Sequence, residues 1–516
     1  MVMKKMKKLM AFALAGIICA SAFIGCGKGE RKASNSTTDV QIAYWNSGLG
    51  TDWLDAAIEG FKEVCPEYNV YYTATANSAA VSNTYGLEEI DTVDLYLTMK
   101  NSDTTYMEPL NDVLDSVPAK ESKSIGQKFE EGYLALETSG DGNVYNLTYG
   151  GGLIGIVYNK AMFEEAGITT LPRTTDELVV VCDALYKKGI VPMGHFKEGG
   201  YWDFMTEAFF MQYDGMDYYL NTFYASKDEN GESPSKDLFS KRDGRYETLK
   251  AYEKFLLPQN VLQGSNSNDH ITMQTEFLSD KCAMMVSGSW MSNEMSGTGK
   301  TDNFVMMKTP VISSITDKLT TVKKESELRK VIDAVDSITD GVKTEDEYKQ
   351  GDSYVIDGLT VSAEDWTYVK KARNTMAMNY PGDAAFIPNY SNAKEGAKEF
   401  LKYLYSDSGY KVYTDTLHIA LPFTMDSGEM DTSDWNTFEK SQYELMQTTE
   451  QYASYYNMGK HKIFTIGGAA SLGNQQYVAA LCTKNDGDRK SADEIWKDIM
   501  TYIDNNYESN WLANIK

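Results

Sequence analysis

Three consecutive glycines, Gly150-Gly151-Gly152, stand directly before the apolar run Leu153-Ile-Gly-Ile-Val-Tyr158. The segment matches the pattern G-x-G-x-x-G, but a dinucleotide site needs a strand, then the glycine turn, then a helix whose N-terminus holds the pyrophosphate. Here the β-branched run after the glycines predicts a strand instead. A helix follows only after Asn159, a predicted N-cap, and ends at Gly167. The glycines therefore favour a backbone crossing between two parts of the chain over a nucleotide site.

The alternation of strand and helix predicts an α/β fold in two units. Val40–Tyr44 reads as a first strand, and a helix with apolar residues at helical spacing follows and ends before Pro66. Strands are predicted at 70–75 and 93–97, so the first unit has a parallel sheet. The same pattern restarts after the glycines. Two such units joined at the glycines predict two lobes that face a cleft.

The first 39 residues predict export. Four lysines within Met1–Met10 precede an apolar stretch that ends at Gly25, and a polar run follows Cys26. Residues 1–25 are therefore predicted to be a signal peptide and residues 26–39 a flexible tether. A cysteine directly after a small residue resembles the bacterial lipoprotein signal, in which Cys26 is acylated. The alternative is an ordinary secretory signal with an incidental cysteine.

Charge and cysteine usage exclude several classes. The formal net charge is −25, and removal of the lysine-rich leader makes it more negative. Such a chain repels nucleic acid and anionic lipid, so we expect no nucleic-acid partner. The remaining cysteines, Cys65, Cys182, Cys282 and Cys482, lack metal-site spacing, and we expect neither a metal nor a cofactor. Cys182 and Cys282 lie in apolar runs and are predicted to be core residues.

Several segments together resemble a known family. They are Tyr158-Asn-Lys-Ala-Met-Phe163 with Ala166-Gly-Ile168, Pro172–Leu178, Gly189–Pro192, Phe277–Met285 with Gly288-Ser-Trp290, Ile387–Ser391, and Ala420-Leu-Pro422. In this order they are similar to the bacterial extracellular solute-binding proteins, most closely the carbohydrate-binding group that serves ABC-type importers. The resemblance spans roughly residues 40–510. The chain departs from it at 340–373, which is longer than usual, and at Thr92-Val-Asp94, where the family commonly has Pro-Asp.

The resemblance implies a two-lobed periplasmic-binding-protein-like α/β fold with a three-segment hinge and an interlobe ligand cleft. Hinge crossings are expected near 147–151, which includes Gly150, Gly151 and Gly152, and near 301–305 and 389–394. The expected lobes are therefore discontinuous. Lobe 1 comprises 40–148 and 304–391, with the longer insertion near 340–373, and lobe 2 comprises 149–303 and 392–516.

The expected ligand is a sugar, whose C–H faces stack on aromatic rings and whose hydroxyls bond planar polar groups. The sequence has 8 tryptophans and 35 tyrosines, and several stand beside polar residues in predicted loops. At Trp290 the resemblance places the family's binding tryptophan. The candidate ligand-binding residues are Trp45, Asn46, Ser47, Asp94, Tyr149, Tyr201, Trp202, Asp203 and Trp290. Trp53 and Trp496 lie on predicted helical faces and are expected in the core.

The function implied is that of a monomeric, non-enzymatic, substrate-binding component. It would lie on the extracytoplasmic face of the bacterial cell membrane, lipid-anchored through Cys26, and pass a carbohydrate to the membrane permease subunits of an ABC-type importer. A non-sugar solute such as a peptide or polyamine is an alternative, because the fold serves many ligands. A secreted glycoside hydrolase is another, since carboxylates are plentiful, although no G-x-S-x-G or H-E-x-x-H motif occurs.

Overall fold

The computed structural model describes most of the chain after the predicted tether. The described residues are 36–46, 48–76, 81, 93–100, 103–130, 133–134, 137–139, 141–197, 201–227, 235–294, 301–378, 383–428, 430–454, 462–465, 477–483 and 488–515. The predicted signal peptide, Cys26 and Ser47 lie outside them.

The strands of the described part fall into three sheets. Their bounds are β1 (Asp39–Trp45), β2 (Asn69–Thr75), β3 (Leu95–Met99), β4 (Leu147–Gly150), β5 (Leu153–Asn159), β6 (Met193–Gly194), β7 (Met284–Gly288), β8 (Phe304–Met306), β9 (Lys349–Gln350), β10 (Ser353–Ile356), β11 (Leu359–Ser362), β12 (Thr375–Met378), β13 (Asp383–Phe386) and β14 (Gln451–Ala453).

The α-helices of the described part cover the sheets. Their bounds are α1 (Asp52–Val64), α2 (Asn111–Asp115), α3 (Ile125–Lys128), α4 (Lys160–Glu165), α5 (Thr175–Lys187), α6 (Trp202–Asp214), α7 (Lys236–Ser240), α8 (Gly244–Phe255), α9 (His270–Leu278), α10 (Met291–Glu294), α11 (Glu325–Thr339), α12 (Ala363–Arg373), α13 (Lys394–Leu404), α14 (Asp407–Leu417), α15 (Thr437–Gln447), α16 (Tyr477–Cys482), α17 (Ala492–Asn506) and α18 (Ala513–Ile515).

The first sheet has five strands in the order β2-β1-β3-β13-β4. β1 pairs in parallel with β2 and β3, as the sequence predicts. Val40, Ile42 and Tyr44 alternate along β1 and are fully buried, because every second side chain of a strand points to the same face. That face packs against α1, whose Trp53 is also fully buried. The predicted core role of Trp53 is confirmed, and so is that of Trp496, which is 3% exposed.

The second sheet is built around β5, the predicted strand after the glycines. Its main order is β14-β12-β5-β7-β6, and β8 pairs with β5 in addition. The predicted helix cap beyond β5 is confirmed, since the Asn159 side chain accepts a hydrogen bond from the Met162 N–H at 3.3 Å. At the other end of that helix Gly167 has φ +75°, a conformation that suits glycine.

The sheets divide the chain differently from the predicted lobe boundaries. β8 and β12 fall in the segment 304–391 predicted for lobe 1, but both pair with β5 in the second sheet. α13 and α14 fall in the segment predicted for lobe 2, but they pack on the first sheet. The Phe400 ring lies 5.2 Å from that of Phe61, and Tyr413 lies 5.5 Å from Trp53. Local patterns do not reveal these partners, because they are remote in sequence.

The crossings between the sheets follow from this pairing. One runs from β4 to β5 through Gly151, as predicted. A second lies between β12 and β13. The third lies between α14 and α15, because Ser441 of α15 accepts a hydrogen bond from the N–H of Met306 in β8 at 3.0 Å. The crossings expected at 301–305 and 389–394 do not coincide with the last two.

The predicted insertion contains a small sheet of its own. Strands β9 to β11 make an antiparallel three-stranded sheet beside α12. Trp366 of α12 is 1% exposed and stacks on Tyr354 with ring centroids 4.4 Å apart. The Trp366 indole N–H also donates to Glu345 at 3.3 Å. Trp366 is therefore the core of the insertion.

The four cysteines of the described part, Cys65, Cys182, Cys282 and Cys482, are free, and Cys182 and Cys282 are buried as predicted. Burial also raises the pKa of both thiols, which keeps them protonated and unreactive. Within the described residues there is no helix long and apolar enough to cross a membrane.

Candidate functional site

Two sheet edges meet where the chain crosses between them. Antiparallel pairing places Asp383, the start of β13, opposite both Met99 of β3 and Gly150 of β4. In the second sheet, the end of β7 at Gly288 pairs with Ile154 near the start of β5. The carboxyl ends of β3, β4 and β7 therefore face one junction. Open α/β sheets bind ligands at the carboxyl ends of their strands.

Each of the three glycines at the crossing has a structural reason. Gly151 has φ +122°, which L-residues with a side chain rarely adopt. A Cβ at Gly150 would lie 2.7 Å from Leu49 Cδ1, and a Cβ at Gly152 would lie 2.4 Å from Ser289 Oγ. The crossing thus favours glycine at Gly151 for its dihedral angles, and at Gly150 and Gly152 because the side chains of Leu49 and Ser289 lie close to the backbone. The predicted hinge role of these residues stays a prediction.

The loop after β1 contacts the second sheet's side of the junction. Asn46 shapes this loop, since its Oδ1 accepts a hydrogen bond from the Gly50 N–H at 2.9 Å. Gly48, with φ +93°, lies against α10, and a Cβ placed on it would be 3.1 Å from Glu294 Oε1. This contact joins residues from the two sides of the junction directly.

An aromatic pair lies at the second sheet's edge. Trp290 follows β7 as predicted, and its ring contacts that of Tyr201 edge to face, with centroids 5.2 Å apart. Trp290 is only 8% exposed, whereas Tyr201 is half-buried. Tyr201 has φ +63°, which is rare for a bulky side chain and is typical of strained functional positions. Of the two predicted stacking rings, Tyr201 is thus the more accessible.

Two half-buried carboxylates follow Tyr201 on one face of α6. Asp203 accepts a hydrogen bond from the Tyr477 hydroxyl at 2.9 Å. Glu207, one turn later, accepts from the hydroxyls of Tyr219 at 2.6 Å and Tyr224 at 2.7 Å. Burial raises the pKa of Asp203 to about 7 and that of Glu207 to about 7, because a low-dielectric surrounding disfavours the charged form.

A third carboxylate, Glu294, stands on α10 one turn after Trp290. Its Oε2 accepts a hydrogen bond from Gln274 Nε2 at 2.9 Å, and burial raises its pKa. Glu207 and Glu294 are not among the ligand-binding residues predicted from the sequence. The available signal was helical spacing, since Glu207 is four residues after Asp203 and Glu294 four after Trp290, and residues so spaced share a helix face. Among the described residues, no group of side chains is arranged to hold a metal ion.

On the first sheet the structure places Trp45 at the end of β1. Its ring packs, partly buried, on a small cluster that includes Tyr96 and Phe386, on the opposite face of the sheet from Tyr44. Asn46 follows it in the loop already described. Trp45 and Asn46 thus lie at the strand end that faces the junction, and their ligand role stays a prediction.

Three other predicted ligand residues are held in contacts within the fold. Asp94 is 2% exposed and accepts hydrogen bonds from the Gln41 N–H at 2.9 Å and the Ser391 hydroxyl at 2.7 Å. Tyr149 is 2% exposed and stacks on Trp53 with centroids 5.6 Å apart.

Trp202 is 1% exposed, and its ring lies 5.2 Å from that of Tyr252. It begins α6, and its ring packs among the core side chains rather than with Tyr201 and Trp290. Asp94, Tyr149 and Trp202 were expected to contact a ligand, and these buried contacts do not support that role.

Comparisons with known proteins agree on one family and fold. The family model of the bacterial extracellular solute-binding proteins matches residues 47–411. Among solved structures, the chain is similar to a probable secreted solute-binding lipoprotein from Streptomyces coelicolor, with 13% identity and a TM-score of 0.62 over 91% of this chain and 99% of that one.

Two further structures carry named ligands. The bacterial solute receptor AcbH, reported to prefer β-D-galactopyranose exclusively, shares 12% identity at a TM-score of 0.60 over 92% of this chain and 100% of that one. RafE of Streptococcus pneumoniae in complex with raffinose shares 14% identity at a TM-score of 0.56 over 91% and 99%. At these identities the likeness establishes the two-lobed fold alone. No curated protein matches the sequence.

Proposed function

The chain belongs to the bacterial extracellular solute-binding proteins, whose model matches well over half of its length, and from that premise we propose that it captures a sugar or oligosaccharide. The protein then delivers the bound sugar to the membrane permease subunits of an ABC-type importer. It acts as a monomer on the extracytoplasmic face of the bacterial cell membrane, held there by a lipid on Cys26.

The observation that carries the proposal is the aromatic pair at the junction of the two sheets. Tyr201 presents a half-buried ring, and Trp290 contacts it edge to face with ring centroids 5.2 Å apart. A sugar's C–H face stacks on such a ring. The adjacent carboxylates, Asp203 and Glu294, can accept hydrogen bonds from sugar hydroxyls. Structural neighbours with named ligands are described with galactopyranose and raffinose, which supports the same ligand class here.

Capture proceeds by closure about the crossings. With Trp45 and Asn46 on the first sheet and Tyr201 on the second, a ligand held between them contacts both sides and so favours the closed arrangement. Rigid-body closure about a few backbone torsions is a common way to trap a small ligand. Closing also removes water, which strengthens each hydrogen bond to the ligand.

Calorimetric titration of the mature protein with D-galactose, raffinose and maltotriose tests the proposal. Saturable binding of at least one saccharide is expected, with a matching rise in melting temperature, because a ligand stabilises only the folded state it binds. The same samples should release no hydrolysis products. Failure of all three saccharides to bind, or progressive cleavage of raffinose or maltotriose, would contradict the proposal.

A second candidate ligand class is a small cationic solute such as a polyamine. The observation that favours it is the pair of carboxylates beside the aromatic pair. Asp203 follows Tyr201, Glu294 stands one turn after Trp290, and among the described residues no lysine or arginine is bonded to either. Carboxylates of this kind attract ammonium groups. Titration with spermidine decides between the classes, since its binding in place of the saccharides would establish the cationic ligand.

A further inference from the structure

Two hydrogen bonds to the second sheet's side of the junction hold Glu294 in position. Its backbone N–H donates to the carbonyl of Trp290 at 3.0 Å, which places the side chain one helical turn beyond that ring. Its Oε2 accepts from Nε2 of Gln274, a residue that is fully buried. The carboxylate therefore has one oxygen anchored to the second sheet's side and one directed elsewhere.

The second oxygen, Oε1, faces the loop from the first sheet. It is the atom that a Cβ on Gly48 would approach to 3.1 Å. Among the described residues no hydrogen bond or ion pair reaches Oε1. A half-buried carboxylate oxygen that accepts no hydrogen bond has lost hydrogen bonds to water without gaining one from the protein, and this costs free energy.

We infer that Glu294 is a specificity-determining residue of the cleft, whose Oε1 accepts a hydrogen bond from a hydroxyl donor on the bound saccharide. The inference rests on the proposed function, because it assigns a role within the same cleft. Tyr201 and Trp290 supply the stacking surface and accept any apolar sugar face. Glu294 adds selectivity among sugars, since only a sugar with a hydroxyl at the matching ring position can donate a hydrogen bond to Oε1.

The raised pKa of Glu294 supports this assignment. Burial is its largest cause, so the low-dielectric surroundings of Glu294 destabilise its negative charge. A donated hydrogen bond from a ligand removes part of that penalty, and hydrogen bonds to ionised acceptors are stronger than those between neutral groups.

The test uses Glu294→Gln and, as a matched control, Glu276→Gln, which changes another half-buried glutamate on the neighbouring helix α9. For the best-binding saccharide among galactose, raffinose and maltotriose, Glu294→Gln is expected to raise Kd about 10- to 100-fold, as befits loss of a hydrogen bond to a charged group. Glu276→Gln should leave Kd unchanged. The melting temperature of the unliganded protein should move little in either variant.

Monodeoxy derivatives of that saccharide separate a ligand contact from a structural role. One derivative should bind the parent protein 10-fold or more weaker than the full sugar, yet bind Glu294→Gln almost as well as the full sugar does, because the lost bond is the same one. Glu294→Ala should show the same pattern.

Parent-like sugar affinity in both Glu294 variants would overturn the inference while the proposed function stands. An equal loss for every derivative, accompanied by a lower melting temperature, would also overturn it, because that pattern marks a structural residue. If the parent protein binds no saccharide at all, the proposed function fails first and the inference fails with it.

Discussion

At the scale of single residues, Tyr201 and Trp290 differ in exposure and therefore in the role that we expect of each ring. Tyr201 is half-buried with φ +63°, and Trp290, which contacts it edge to face, is 8% exposed. We expect Tyr201→Ala to weaken sugar binding about 30-fold or more and to lose less stability than Trp290→Ala, because the Tyr201 ring is only half-buried. Trp290→Ala should lose both affinity and stability. Calorimetry and melting curves measure the two effects.

Trp53→Ala is the matched control for this prediction. Trp53 is fully buried and contacts Tyr44 and Tyr149 on the first sheet's side. Its truncation should cost about 3–5 kcal/mol of stability and leave the affinity of the folded fraction nearly unchanged. Parent-like sugar affinity in Tyr201→Ala would show that the stacking surface lies elsewhere.

Asp203 and Glu207 make stability depend on pH. Each has a pKa near 7 in the folded protein and about 4 when unfolded. Between these values the folded state holds more protons than the unfolded state, so stability falls as pH rises from about 4 to 7 and then levels off. Asp203→Asn should flatten this fall, as measured by melting temperature from pH 4.5 to 8.

The matched control is Asp141→Asn. Hydrogen bonds, first from the Asn143 backbone, lower the pKa of this exposed carboxylate. Asp141 therefore changes the pH dependence of stability only below about pH 4. In Asp141→Asn, the fall of stability with rising pH above about pH 5 should persist. An unchanged slope in Asp203→Asn would mean that the Asp203 carboxylate is well solvated.

At the scale of single elements, the crossing from β4 to β5 depends on Gly151. Alanine at φ +122° is strained by about 1–3 kcal/mol, and a backbone shift at the crossing that relieves the strain changes the angle between the sheets. We therefore expect Gly151→Ala to change sugar affinity several-fold and to reduce the compaction that sugar produces in small-angle X-ray scattering.

Gly142→Ala provides the comparison, since Gly142 also has a positive φ, +83°, but has no atom within 4 Å of its Cβ position and lies in an exposed turn. This variant should lose stability without losing compaction. If both variants only melt earlier, Gly151 does not control closure.

The sequence pattern predicts those elements whose apolar residues follow one period. β1, α1 and β2 could be bounded within one or two residues, because Val40, Ile42 and Tyr44 alternate and the helix buries Trp53 and Phe61. The sheet to which each strand belongs was harder to predict from the sequence. Nothing in β12 or β8 indicates that its partner is β5, more than a hundred residues earlier, so the lobe boundaries drawn from the sequence differ from the sheets.

The candidate site was predictable in part for the same reason. Trp290 and Tyr201 follow a strand end and a predicted turn, which are positions that sequence patterns mark. Trp202 stands in the same loop-like segment, but it opens α6 and packs on Tyr252. Which of two adjacent aromatic rings enters the core depends on the helix's orientation, and only the tertiary structure fixes that.

At the scale of the whole molecule, attachment to the membrane depends on one residue outside the described part. We expect Cys26→Ser to release the protein into the medium or leave its leader uncleaved, since the acyl chains that hold it are lost. Cell fractionation and mass spectrometry of the amino terminus measure this. Cys65→Ser, which changes a free and half-buried cysteine, should stay anchored. Membrane-bound Cys26→Ser protein of unchanged mass would exclude lipidation at Cys26.

The interleaving of the two sheets also governs how the chain can acquire its structure. β13 lies between β3 and β4 in the first sheet, and β14 completes an edge of the second. The chain is synthesised from its amino terminus. β3 and β4 are therefore made long before β13 (residues 383–386), the strand that pairs with both of them. Pairings this remote in sequence slow folding and leave strand edges exposed meanwhile. Fragments that end before residue 383 therefore lack β13 and β14, and we expect them to be recognised by proteases and chaperones and not to bind ligand.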